Sequence, residues 1–253
     1  MPHWRIDDIQ WDRFDAASVP ADVVPLVKAA SLVEWNGRDY AAYLCRVFAD
    51  DSAFRTAAEA WAEEEVQHGA VLGRWAGLAD PSWDFAAASA RFKAGYRPPI
   101  DGDSSIRGSR TGELIARCMV ETGTSSYYTA LADACAEPVL KQICRRIAAD
   151  EFRHYKLFYD HMRRYQDRER IGGMRRALIA IGRVRESEDD ELSYAYYAAN
   201  TTPDAVYDRK TYNEAYTARA YSFYRPKHMD RAMAMIFKAC GLKPHTIAHK
   251  IAN

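Results

Sequence analysis

Ile147 to Tyr155, reading IAADEFRHY, is the stretch on which the fold turns. It lies in a segment of helical period, and on a helix the three-residue spacing of Glu151 and His154 sets both side chains on one face. The same Glu-x-x-His pair stands upstream at Glu65 and His68, in WAEEEVQHG. One such pair is a weak signal, because acids and histidines are common on helix surfaces. Two pairs, each on a long helical segment and each preceded by a helix with a lone inward acid, match the ligand pattern of a carboxylate-bridged di-metal helix bundle.

Working outward, Val27, Ala30, Glu34, Ala41 and Cys45 recur at helical spacing and predict one helix from about Ala21 to Ala49, with Glu34 inward. Asp50, Asp51 and Ser52 supply a turn and a cap. A second helix then runs to about Leu78, with Ala58, Trp61, Glu65, His68, Leu72 and Trp75 on its inner stripe. Residues 79–109, rich in Pro, Gly, Asp and Ser, predict a crossover spanning the bundle, with a short helix at Ala86 to Gly95. The third helix, about Thr111 to Ala134, aligns Leu114, Cys118, Glu121, Thr124, Tyr128 and Leu131. After Glu137 and Pro138 a fourth runs to about Tyr165, aligning Cys144, Ile147, Glu151, His154, Phe158 and Met162.

Residues 1–19, with Trp4, Trp11 and Phe14 among charges, read as an arm packed along the bundle. After Gly172 and Gly173 the pattern stays helical to Gly241, and no strand-like alternation bounded by hairpin turns occurs anywhere. The expected fold is all-α: a ferritin-like four-helix bundle over about 20–165, with a long crossover and additional C-terminal helices over about 171–250, in a single domain of 253 residues.

Lys plus Arg and Asp plus Glu are 35 each, so no overall field marks a binder of nucleic acid or of a membrane surface. Five scattered cysteines, never in CxxC, fit reduced thiols in a cytoplasmic compartment. MPHWRIDDIQ is charged from the start, which argues against a signal peptide, and no apolar run approaches the roughly 18 residues of a membrane span.

Two iron ions held close together need anionic oxygens to neutralise them and one imidazole each, which leaves coordination positions for oxygen. Glu34 and Glu65 with His68 come from one helix pair, Glu121 and Glu151 with His154 from the other. The gaps between acids are 31 and 30 residues, as antiparallel hairpins of equal length require. Asp150 and Glu64, each just before a ligand Glu, are placed to accept a hydrogen bond from a ligand imidazole. Glu63 and Glu113 read as surface or supporting groups.

Residues 142–154, QICRRIAADEFRH, resemble the second iron motif of the soluble acyl-acyl carrier protein desaturases. WAEEEVQHG resembles that family's W..EE..HG motif at Trp61, Glu64, Glu65, His68 and Gly69. ETGT fits as well, with Glu121 as ligand and Thr124 where the family has a threonine beside the oxygen-binding cavity. The similarity covers about Pro20 to Tyr165. Val66 and Gln67 depart from the Asn and Arg of the first motif, and Phe152 and Tyr155 from the Lys and Glu that flank the second. These departures leave the metal ligands intact and bear on substrate and carrier docking.

The resemblance implies a di-iron centre with O2 as co-substrate and a cis double bond inserted in a fatty acyl chain on acyl carrier protein or coenzyme A. It also implies a ferredoxin-type electron donor, a homodimer, and an electron route through a surface Trp, His68 and Asp150, for which Trp11 is the candidate. Eight arginines from Arg163 to Arg185, opposed only by Asp167 and Glu169 over that stretch, offer either a docking patch for an acidic partner or a solvated helical face. The C-terminal tyrosines either wall a substrate channel or pack in core and interface. An oxidase of another small metabolite keeps the same site. An iron-handling or peroxide-scavenging protein is the rival class, against which stand the missing CxxC module and the long crossover.

Overall fold

The computed structural model describes residues 3–96, 102–187 and 191–243. Residues 97–101 of the crossover and 244–250 of the expected C-terminal extension lie outside the described residues. All regular structure among the described residues is helical. The N-terminal arm forms three short 3-10 turns, followed by α1 (Val24–Trp35), α2 (Gly37–Val47), α3 (Ser52–Ala79) and α4 (Phe85–Gly95). Then come α5 (Arg110–Ala134), α6 (Pro138–Glu169), α7 (Gly173–Ser187), α8 (Glu191–Asn200), α9 (Arg209–Tyr221) and α10 (Pro226–Ala239).

Local chemistry sets the helix starts. Asp51, Asp84 and Ser109 each accept a hydrogen bond from a backbone N–H in the first turn of α3, α4 and α5. Glu137 accepts from Val139 N and Leu140 N at the head of α6, with Pro138 in the first position. These contacts satisfy donors that a helix cannot pair internally.

The single first helix expected from Ala21 to Ala49 is two. Asn36, at φ −88° and ψ 5°, breaks it between α1 and α2. The cause is a close approach to α3: a Cβ on Gly37 would lie 2.5 Å from Glu65 Cβ, and one on Gly69 would lie 2.5 Å from the backbone nitrogen of Trp35. Neither crossing has room for a side chain: Gly37 lies against the Glu65 side chain, and at Gly69 the backbone of α3 meets that of α1. Glu34, two residues before the break, is carried to the level of Glu65 and His68.

α1 and α2 pack on α3, α5 lies along α6, and α3 meets α6. Outside this bundle α8 packs on α1 and α4, α9 on α8, and α7 and α10 on α5. The apolar core divides into two clusters, one holding Leu26, Leu72, Trp75, Tyr128 and Ile147, the other Phe48, Phe54, Leu114, Phe158 and Met162. Along α3, α5 and α6 the first cluster ends and the second begins on either side of Glu65–His68, Glu121 and Glu151–His154. A buried polar layer therefore crosses the bundle between two apolar halves. The five cysteines are free thiols. No helix among the described residues is long and apolar enough to cross a membrane.

Candidate metal centre

The polar layer is built by one acid from α1 (Glu34), one from α5 (Glu121), and a Glu-x-x-His pair from each of α3 and α6. All six side chains are buried, His68 completely. His68 Nδ1 lies 3.1 Å from Glu151 Oε1, 3.7 Å from Glu34 Oε2 and 4.0 Å from Glu65 Oε1. His154 Nδ1 lies 3.0 Å from Glu65 Oε1, 3.6 Å from Glu121 Oε2 and 3.8 Å from Glu151 Oε1. Two groups result, Glu34, Glu65, His68 and Glu151, and Glu65, Glu121, Glu151 and His154, each with one ligand atom per residue within 4.8 Å of the others. Either group could hold a metal ion. Glu65 and Glu151 belong to both and stand where bridging carboxylates would.

Six atoms in this layer make no hydrogen bond although all are buried: Glu65 Oε1, His68 Nδ1, both oxygens of Glu121, Glu151 Oε1 and His154 Nδ1. Buried polar atoms are rarely left unpaired. These all converge on the same two points, so cations there would satisfy every one of them. The opposite ring nitrogens are taken: His68 Nε2 is 3.0 Å from Asp150 Oδ2, and His154 Nε2 is 3.0 Å from Glu64 Oε2. With the proton held on Nε2, each imidazole presents the lone pair of Nδ1 to the layer.

Electrostatics give the same answer. Burial, with the charges of Glu151 and Glu34 beside it, pushes Glu65 well above the usual carboxylate range. Burial and Glu151 push Glu121 up to about 8. Burial disfavours a charged imidazole, yet Asp150, Glu151 and Glu34 raise His68 well above its ordinary value, and Glu121, Glu64 and Glu65 do so for His154. Protons are thus drawn into a layer short of positive charge, the deficit that divalent cations would fill.

The surrounding contacts orient the acids. Thr124, on α5, donates its hydroxyl to Glu151 Oε2. Tyr128 donates to Glu34 Oε1. Arg153 bridges Glu64 and Asp150, at 3.1 and 2.6 Å. The arm supplies Trp4, whose indole N–H donates to Asp150 Oδ2 at 2.7 Å while its ring stacks on His68. Trp4, not Trp11, is therefore the tryptophan joined to His68 and Asp150. Trp11 instead donates to Ile6 O and lies under the Arg74 guanidinium. Gln67, one of the departures from the desaturase motif, donates to Trp4 O at 3.0 Å and ties the arm down.

No protein-family model matches this chain, and no curated protein matches it.

Sequence reasoning named all six candidate ligands, with Asp150 and Glu64 behind them. It gave no role to Tyr128, although Tyr128 is two turns from Glu121 on the same stripe, nor to Arg153. Glu63 is exposed and pairs with Arg38, as expected. Glu113 is buried, accepting from Tyr43 and Ser105 at 2.8 Å each.

A cavity of about 740 Å³ opens beside the layer, with Glu34, Thr124 and Tyr128 in its wall. Tyr216, Tyr221 and Tyr224 wall it from the C-terminal third, whereas Tyr194, Tyr197, Tyr207 and Tyr212 pack ring against ring, only Tyr207 and Tyr212 in parallel. Arg107, Arg117, Arg183 and Glu191 also line it, with the Tyr40 hydroxyl donating to Glu191. Of the eight clustered arginines, Arg183 thus faces the cavity and Arg164 pairs with Asp51. They do not form one uniform exposed face.

Proposed function

We propose that this protein is a di-iron oxidase that uses O2 and two electrons to attack an unactivated C–H bond of a small substrate held in the cavity. The observation that carries the reading is the convergence of six unpaired buried ligand atoms on two points, beside a cavity walled by Thr124. Two irons at those points would supply the reduction of O2 and the removal of hydrogen from carbon.

The chain's own groups do the rest. Asp150 and Glu64 hold the proton on Nε2 of each imidazole, keeping Nδ1 turned inward. Tyr128 and Thr124 hold Glu34 and Glu151 by single hydrogen bonds on the cavity side, leaving their other oxygens to the layer. The chain Trp4–Asp150–His68 leads from the arm to the layer and offers a path for electrons from a ferredoxin-type donor. A homodimer belongs to the same proposal, supported by the exposed Met174, Leu178 and Ile181 along α7. Light scattering that gives a monomer mass at all concentrations would reject it.

Two substrates share this chemistry. A fatty acyl chain on acyl carrier protein or coenzyme A follows from the desaturase resemblance. A different small metabolite is favoured by the arginines and acids in the cavity wall, which an acyl tunnel does not need.

Reconstitution with ferrous iron should give about two irons per chain. Supplied with O2, ferredoxin, its reductase and saturated acyl carrier protein, a desaturase returns product lighter by about two mass units, with two waters taking both oxygen atoms. An oxygenase adds one oxygen to its substrate and sends the other to water. Rapid ferrous oxidation with no change in any acyl or small-acid substrate would point to iron handling, and zinc alone or a single metal would overturn the oxidase reading.

A further inference from the structure

The cavity wall holds two guanidinium groups, those of Arg117 and Arg183, beside one carboxylate, that of Glu191. Arg117 lies on α5 one turn before Glu121 and is 9% exposed. Its guanidinium carbon sits 5.0 Å from the Tyr40 ring centroid and 6.0 Å from that of Trp61, and its Nε has no hydrogen-bond partner. Arg183, on α7, lines the same cavity. Among the described residues neither makes an ion pair. Arg107, by contrast, is held by both oxygens of Glu186.

Burial and the charge of Arg117 both act to lower the pKa of Arg183, so the two cations feel each other. Glu191 faces both cations: burial raises its pKa, the Tyr40 hydroxyl and the charges of Arg183 and Arg117 act to lower it, and its charge in turn raises the pKa of Arg183, so one carboxylate stands against two guanidiniums. Placing two like charges in one pocket wall is unfavourable unless an anion joins them. The planar guanidinium fork matches a carboxylate in two parallel hydrogen bonds.

We propose that Arg117 and Arg183 form a subsite for the carboxylate of a free organic acid whose apolar or aromatic body extends along α5 past Val120 toward Thr124. This rests on the oxidase reading and names its substrate class. Arg117 and Thr124 are seven residues apart, about 10 Å along the helix, so an acid anchored at one end places carbons several bonds from its carboxylate beside Glu34 and Glu151. A thioester carries no such charge and leaves the two guanidiniums with Glu191 as their one shared carboxylate. Met119, Val120 and Tyr127 supply the apolar wall between the two ends.

The test is calorimetric titration of the full-length protein, metal-free and iron-loaded, with octanoate and 4-phenylbutyrate, each beside its methyl ester. At least one acid should bind about ten-fold or more tighter than its ester, the size expected when a charge-assisted pair is lost. Arg117→Met and Arg183→Met should each abolish most of that preference while iron content stays at the wild-type level. Because Arg117 packs between aromatic rings, Arg117→Lys is the second variant and should keep part of the preference. Failure of both acids to bind, equal binding of acid and ester, a preference surviving both Met variants, or tighter binding of octyl phosphate than octanoate would each overturn the subsite. A wild-type protein that takes up no iron would overturn the oxidase reading, and the acid–ester comparison on the metal-free protein would still decide the subsite.

Discussion

Trp4 and Asp150 are 146 positions apart in sequence and joined by a 2.7 Å hydrogen bond from indole to carboxylate. The same Asp150 oxygen accepts from His68 Nε2, and the Trp4 ring lies nearly parallel to the imidazole, at 11°. An irregular N-terminal arm therefore fixes the orientation of a candidate metal ligand on α3 through an acid on α6. Carboxylate partners of ligand imidazoles typically control 10–100-fold in metal affinity or activity. Asp150→Asn should weaken ferrous binding within about that range, and Trp4→Phe, which keeps the stacking and loses only the donor, should weaken it by less. Chelator competition measures both, and wild-type affinity in Asp150→Asn would rule out the role given to it.

Glu65 and Glu151 are common to both ligand groups, whereas Glu34 and Glu121 each belong to one. Removing a shared acid should cost both metals. Glu65→Ala or Glu151→Ala is expected to drop iron toward zero per chain, while Glu34→Ala or Glu121→Ala should retain about one. Iron analysis beside a protein assay distinguishes the two classes. Equal loss in all four variants would mean that no carboxylate is specially shared.

Gly69 meets the backbone of α1 so closely that a methyl group would sit 2.5 Å from Trp35 N and 2.9 Å from Ser31 O. Neither is the end of a flexible side chain, so relief requires the helices to part. Gly69→Ala should lower stability by about 1–3 kcal/mol, as overpacking does, against the small gain in helix propensity that Ala usually brings. Because Gly69 follows His68, iron content should fall as well. Urea denaturation that leaves the variant as stable as wild type would contradict the close crossing.

The buried Lys28 ammonium lies 2.6 Å from Asp80. That contact, with a second from Ser82, holds the Asp80 carboxyl at about 2, below its usual 3.8. A depressed acid contributes stability that is fully present above its unfolded value and lost as pH falls through its folded one. Asp80 is about one-third exposed, so solvent screening reduces the contribution to about 1 kcal/mol. Asp80→Asn should thus be less stable than wild type at neutral pH, and the gap should narrow below about pH 4. Denaturation midpoints of both proteins from pH 7 to pH 3 would show this, and a gap independent of pH would remove the ion pair as its cause.

The helices of the bundle were legible because burial imposes a 3.6-residue period on the chain, and the six candidate ligands were legible because they interrupt that period with acids and histidines at matched heights. Asp150 and Glu64 were legible by adjacency to a ligand Glu. The break at Asn36 was not, since the stripe of Val27, Glu34 and Cys45 continues through it. What breaks the helix is a backbone crossing with Gly69 on another segment, and periodicity contains no information about such a crossing. Trp4 was out of reach for a similar reason: an arm without periodic structure carries no register, so nothing local separates Trp4 from Trp11. The charge of the cavity was hidden more deeply. Arg117 falls on a helix that reads as core, and Arg183 falls in a run of arginines that reads as a solvated surface. Local pattern thus determined the helices and the acids that face inward along them. Only tertiary packing decided which tryptophan reaches Asp150, which acids are shared by both ligand groups, and which two of many arginines meet one carboxylate in the cavity wall, because each depends on distances between segments far apart in the chain.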